Sequence, residues 1–245
     1  MGNRLRSGSP ARVRAASAAA VLAALLLGTA ATPAAAARNG DDLEIAKVGA
    51  LTLTDLPAGF TTKPDPGTSK ADNIRVAKGI RGCGPYVALQ RTLLDLPSAR
   101  SASLVDQTRK VGNEVDVFKG DRAASAALAL YAKPSLVGCL EKVFEKGIRQ
   151  EASRSGPIDD VVVTLERQDI AGLGDESVVY EGRVVITGAD GSSARLGIGN
   201  AAVRVGRTVD AVTFSTSGAD LADILTPAID ASVGRLRTAL GATPA

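Results

Sequence analysis

The sequence predicts an α+β domain, with helices packed on one antiparallel sheet of five to seven strands. Three observations carry that expectation. Between Pro134 and Gln150, the residues Leu136, Leu140, Val143, Phe144 and Ile148 recur at three- and four-residue steps and share one helix face. From Ser177 to Ser215, three apolar-rich runs are separated only by GADGS and by Gly206-Arg207, connections short enough to require antiparallel hairpins. No repeat at a fixed period and no second low-complexity linker divides the chain, so one domain suffices.

The beginning of the 245-residue chain is not read as fold. Arg4, Arg6, Arg12 and Arg14 make a basic start, Ala18 to Leu27 is a short apolar run, and Ala35-Ala36-Ala37 precedes Arg38. This layout predicts a secretory signal peptide over 1–37, cleaved after Ala37. Its apolar run falls short of the roughly 20 residues a membrane span needs, and no later stretch is apolar enough to span. A lipid-bearing cysteine would have to follow that run directly, whereas the first cysteine is Cys83. Residues 38–50 are then expected to be a flexible mature N-terminus, and 51–245 the domain. Four of the 29 basic residues leave with the signal, so 25 face 26 acidic ones. That balance gives no electrostatic footprint for nucleic acid.

Leu51 to Leu56 (LTLTDL) alternates and reads as a first strand closed by Pro57-Ala58-Gly59. Thr61 to Asn73 holds two prolines and a glycine and reads as a loop, with Asp72 or Asn73 capping a short helix through Ile80. Pro85 suits the first turn of the next helix, which places Tyr86, Leu89 and Leu93 on one face. Two strands are expected next, Ala102 to Gln107 and Glu114 to Phe118, with Gly112-Asn113 turning between them. Asp121 is placed to cap an Ala-rich helix, Pro134 to stop it and Ser135 to cap the following one. On that second helix Glu141, Lys142, Glu145, Lys146 and Arg149 form the polar face.

A strand from Val161 to about Arg167 leads, through a Gly-punctuated loop, into the three-stranded meander. The closing helix spans about Asp220 to Leu240, with Leu225, Ile229, Val233 and Leu236 in helical register and Pro227 kinking or restarting it at Thr226.

The two cysteines of an exported chain point to one disulfide, Cys83–Cys139, with a pair of free thiols as the alternative. A loop of about 57 residues closed this way is worth roughly 4 kcal/mol by chain entropy. Histidine is absent, which removes Ser-His-Asp and Cys-His catalysis and imidazole metal sites together. Tryptophan is absent too, so an aromatic platform is hard to build. No metal and no cofactor is expected. No G-x-S-x-G occurs, and no Ser or Thr stands three residues before a lysine, so S-x-x-K chemistry has no place. The carboxylate pairs Asp159-Asp160 and Asp175-Glu176 sit on neighbouring positions, which point to opposite faces of a strand and cannot share a proton. The candidate ligand contacts are therefore Asp175 and Glu176 at a loop rim, with Arg195 and Arg204 on the meander as an anion clamp or as solvated sheet charges.

Several phrases, in order, resemble a family of exported actinobacterial proteins: LTDLPAGF, VDVFKGDRAASAALAL, Cys139 within the next helix, LGDESVVY and AVRVGRTVDAVTF. The family comprises the extracytoplasmic sensor domain of PknH-type membrane Ser/Thr kinases and its free-standing secreted or lipid-anchored relatives. The resemblance covers most of Leu51 to Leu240 and implies a PsbP-like α+β fold and a cell-envelope sensing module without chemistry of its own. That family's domain often carries more than one disulfide, and this chain has cysteines for one. The expectation is a secreted, non-catalytic binding domain for a small or lipid-like ligand or an envelope protein partner. The alternatives are an enzyme of unrecognised type using carboxylates, and a purely structural surface protein.

Overall fold

The computed structural model describes residues 40–64, 69–217 and 222–241; the expected signal peptide, 1–37, lies outside them. The fold is α+β. In chain order the elements are α1 (Gly40–Gly49), a 3-10 turn (Leu53–Asp55), β1 (Thr61–Lys63), α2 (Lys70–Lys78), α3 (Gly84–Leu93), β2 (Ser98–Arg100), β3 (Ser103–Val105) and β4 (Arg109–Val117). They continue with α4 (Asp121–Tyr131), α5 (Pro134–Ser155), β5 (Ile158–Gln168), β6 (Glu176–Gly188), β7 (Ser193–Val205), β8 (Thr208–Thr216) and α6 (Ala222–Ala239).

The strands form one antiparallel sheet in the order β1-β3-β4-β8-β7-β6-β5, a path of seven, with β2 as an eighth strand paired beside β3 on the same edge of β4. Alternation of side chains gives this sheet two buried faces. On the first, Val161, Val163, Leu165, Val178, Tyr180, Val184, Leu196, Ile198 and Val209 form a core with α3, α4 and α5. On the second, Val111, Val115, Val179, Val203, Val212 and Phe214 pack with α1 and α6. The sheet is thus the middle of three layers. Val162, on the uncovered second face of edge strand β5, stays exposed.

Cys83, immediately before α3, and Cys139, within α5, form the disulfide, with Cα atoms 5.0 Å apart. Helices α4 and α5 together have the length and apolarity of a membrane span, but they bend by 68° at Pro134 and their apolar faces are buried in the first core. No single helix among the described residues is long and apolar enough to cross a membrane.

Several local expectations need correction. Residues 40–49 form a packed helix instead of a flexible N-terminus. Ala46 is fully buried, and Arg235 of α6 holds the end of α1 through Val48 O at 2.7 Å and Ala50 O at 3.1 Å. Leu51–Leu56 is no strand. The Asp55 carboxylate accepts from Thr52 N at 2.7 Å, a local side-chain bond that closes a turn and competes with extended pairing. Gly112-Asn113 lies inside β4, because Asn113 finds tertiary partners in Leu51 N (2.8 Å), Gly49 O (3.0 Å) and Asp210 Oδ1 (2.8 Å). The turn falls instead at Asp106, whose side chain accepts from Thr108 N and Arg109 N. Ser69 caps α2, with Asp72 N donating to its hydroxyl at 2.9 Å, and Pro134 is the first residue of α5. Helix α6 runs through Pro227 without a break.

Candidate functional site

The residues chosen from sequence meet in part. Glu176 and Arg204 are directly opposed on β6 and β7. Arg204 Nε donates to Glu176 Oε1 at 2.9 Å, and its Nη1 donates to Asp175 Oδ2 at 3.2 Å and to Gly206 O at 2.9 Å. Asp175 Oδ2 also accepts from Gly206 N at 2.7 Å, and Glu176 accepts from Ser125 Oγ at 3.0 Å. The guanidinium is thereby occupied within the protein, and the cluster braces the β7–β8 turn against the loop before β6. Arg195 is opposite Val185, nine residues from Arg204 along the same strand, or about 30 Å. The four do not form one clamp. Asp159 and Asp160 are drawn to α5, where Arg149 donates to Asp160 Oδ1 at 2.9 Å and to Asp159 O at 3.3 Å.

A different constellation lies beneath α2 and α3. Strand β4 is central, so both its faces are buried, and its alternation NEVDV sorts two kinds of core. Val115 and Asn113 turn to the α1/α6 layer; Glu114 and Asp116 turn to the α2/α3 layer, sharing their face with Arg100 and Ser98 opposite them on β2. From above, α2 presents Lys70, Asn73, Ile74 and Ala77, spaced to share one face. Lys70 Nζ makes an ion pair with Asp116 Oδ1 at 2.5 Å and Glu114 Oε1 at 3.0 Å and donates to Leu93 O at 3.1 Å. Those contacts use all the donors an ammonium has. Arg100 Nη2 pairs with the other oxygen of Glu114 at 3.1 Å.

Charges removed from water in this way are strongly coupled. Burial works against the charge of Lys70, yet Asp116 and Glu114 outweigh it and raise its pKa. Burial pushes the Asp116 carboxyl up to about 7, with Lys70 opposing the rise and Glu114 adding to it. Burial, with Glu114 nearby, also raises the Tyr86 phenol.

Around the ion pairs lie uncharged groups whose hydrogen bonding is incomplete. Among the described residues, Asn73 Oδ1 and Nδ2, Tyr86 Oη, Gln90 Oε1 and Ser103 Oγ have no partner. Their residues are 0%, 1%, 3% and 2% exposed in that order. Native proteins leave few buried polar atoms unpaired, because each such group costs about 1–3 kcal/mol. Five in one layer, beside a buried ion-pair triad, mark it as the candidate binding site.

The opposite face of the sheet holds a smaller polar knot. Asp210 on β8 accepts from Asn113 Nδ2, while Ser232 Oγ donates to Gly49 O at 2.8 Å. Burial pushes the Asp210 carboxyl up to about 6, opposed by Ser232 and Asn113. This knot ties α1 to the sheet and to α6. Among the described residues, no three His, Cys, Asp or Glu side chains gather to hold a metal ion.

Sequence reading missed Lys70, Gln90, Arg100 and Asp116 and gave Asn73, Tyr86 and Glu114 other tasks. One signal was available: Lys70, Asn73, Ile74 and Ala77 share a helix face, and a Lys and an Asn beside apolar residues announce a polar underside.

The sequence matches no family model and no curated protein. Among solved structures, the chain is similar to the extracellular domain of PknH from Mycobacterium tuberculosis, at 11% identity over 65% of this chain and 76% of that one, with a TM-score of 0.39. That is a distant structural relation, and no function follows from it.

Proposed function

We propose that the chain is an exported, non-catalytic binding domain of the cell envelope whose ligand enters the polar layer between α2/α3 and β2–β4. The observation that carries this reading is the amide of Asn73, fully buried with neither its oxygen nor its nitrogen hydrogen-bonded among the described residues. The disulfide supports an extracytoplasmic setting, where such bonds persist. Lys70 and Arg100 answer Glu114 and Asp116, and the four set the walls of the site. The test is native mass spectrometry of protein purified from culture supernatant. A stoichiometric adduct of small-molecule mass is expected on the wild type and not on Asn73→Leu. An adduct of equal amount on both would place the ligand elsewhere.

One observation favours a second reading, an enzyme working through Asp116, whose raised pKa suits proton transfer near neutral pH. Its bond to Lys70 and its burial beneath α2 weigh against it. Turnover of any substrate abolished by Asp116→Asn in a folded protein would establish that reading instead.

A further inference from the structure

We propose that the layer under α2 receives a small, uncharged, hydroxyl-bearing molecule of polyol or sugar-fragment size, admitted when α2 swings about the Gly79–Gly82 segment. The proposal rests on the binding reading above and adds the ligand's chemistry and its route.

The chemistry follows from what is left unpaired. The charged groups answer one another: Lys70 with Asp116 and Glu114, Arg100 with Glu114. A charged ligand would have to break one of those pairs. On the uncharged side chains of the layer, the groups with no partner among the described residues are of mixed character. Asn73 Oδ1 and Gln90 Oε1 accept only, Asn73 Nδ2 donates only, and the hydroxyls of Tyr86 and Ser103 do either. An anion brings acceptors alone and would turn them toward the two amide oxygens. An alkylammonium brings donors alone and leaves Asn73 Nδ2 unanswered. A hydroxyl group donates one hydrogen bond and accepts others, so a molecule carrying several complements the whole set.

The route follows from how α2 is held. Of its four buried side chains only Ile74 and Ala77 are apolar; Lys70 and Asn73 are polar. Its departure parts Lys70 from Asp116 and Glu114, so the open form is short-lived and α2 closes again over the ligand, which then answers the Asn73 amide. Gly82, at φ +92°, turns the chain just beyond the helix. The next residue, Cys83, is fixed to α5 through the disulfide, so motion of α2 stops there and α3 keeps its place.

The experiment titrates the signal-free chain with glycerol, erythritol and D-ribose, using acetate and ethylammonium as charged probes, and follows both calorimetric binding and the thermal midpoint. Wild type, Asn73→Leu and Gln90→Leu are compared; Ser103→Ala serves if a leucine variant fails to fold. At least one polyol is expected to bind saturably at millimolar concentration, with affinity reduced about ten-fold or more where a hydrogen-bonding group is lost. Hydrogen exchange of residues 70–78 should slow in the same titration. A rise in midpoint that is linear in polyol and equal in all variants is the general effect of an excluded osmolyte and overturns the proposal. Saturable binding of acetate or ethylammonium, with none of a polyol, overturns the ligand class while the binding function stands. Saturable binding of no probe, together with no adduct in native mass spectrometry, removes both.

Discussion

Lys70 Nζ and Asp116 Oδ1 stand 2.5 Å apart, 46 residues distant in sequence, and both belong to side chains almost wholly withdrawn from solvent. Such a pair specifies the seating of α2 more than it stabilises the fold, since desolvating two charges offsets much of their attraction. Removing one partner is another matter. Lys70→Met should destabilise the domain by about 3–5 kcal/mol, because Asp116 is left buried without its cation while Glu114 keeps only Arg100. Chemical denaturation of the variant measures this. Adding Asp116→Leu to it, with Glu114 retained as the partner of Arg100, should restore most of the loss.

Stability should fall as pH rises from about 4 to about 7. The Asp116 carboxyl is pushed up to about 7 and that of Asp210 to about 6, from ordinary values near 3.8. Across that window the folded chain keeps protons that the unfolded chain releases, so each group's contribution is full below about 4 and is lost through its folded value. Asp55 and Asp106, held by Arg235 and Arg109, have lowered values and act oppositely, losing their contribution only below 3.8. A stability optimum near pH 4 to 5 is expected in urea midpoints measured from pH 3 to 8. Asp210→Asn should flatten the descent between pH 4 and 6; an unchanged slope would assign it to other groups.

Gly199 should tolerate no side chain. It faces Phe214 across the β7–β8 ladder, and a Cβ there would lie 1.9 Å from the ring's Cζ. Gly199→Ala should cost about 1–3 kcal/mol of unfolding free energy through overpacking. In Phe214→Leu the same alanine should cost much less, a non-additivity that a double-mutant cycle reads directly.

The edge of the sheet at β5 is guarded by one side chain of α5. Glu141 Oε1 accepts from Leu165 N at 2.9 Å, occupying a backbone donor that an edge strand would otherwise offer to another chain. Glu141→Ala should raise concentration-dependent association, visible by light scattering, while changing monomer stability by only about 1–2 kcal/mol.

The disulfide should carry a measurable share of stability. Replacing Cys83 and Cys139 by alanine is expected to lower it by about 2–4 kcal/mol. Hydrogen exchange in that variant should show the largest gain around α2 and α3, which Cys83 pins to α5.

Much of the fold was legible because it rests on local chemistry. The β6–β8 meander follows from GADGS and Gly206-Arg207, and the amphipathic course of α5 from its leucine spacing. What failed was local chemistry overruled at a distance. Asn113 reads as a turn residue and becomes a buried strand residue because Gly49, Leu51 and Asp210 occupy its amide. The candidate site stayed hidden for the same reason. Glu114 and Asp116 alternate with valines as surface charges do, and nothing near them in sequence says that Lys70 will cover them. Asp175, Glu176 and Arg204 were the visible charges, and they answer one another instead of a ligand.

The placement of the first and last helices among the described residues has an orientational consequence. Helix α1, opening at Gly40, and helix α6, closing at Ala239, both lie on the second face of the sheet, with α2 across the first. An anchor or carrier attached close to Gly40 or Ala239 would therefore grip the molecule from behind. Whatever surface it is fixed to, the domain would stand with α2 toward the open medium, and molecules arriving from there would meet that helix first.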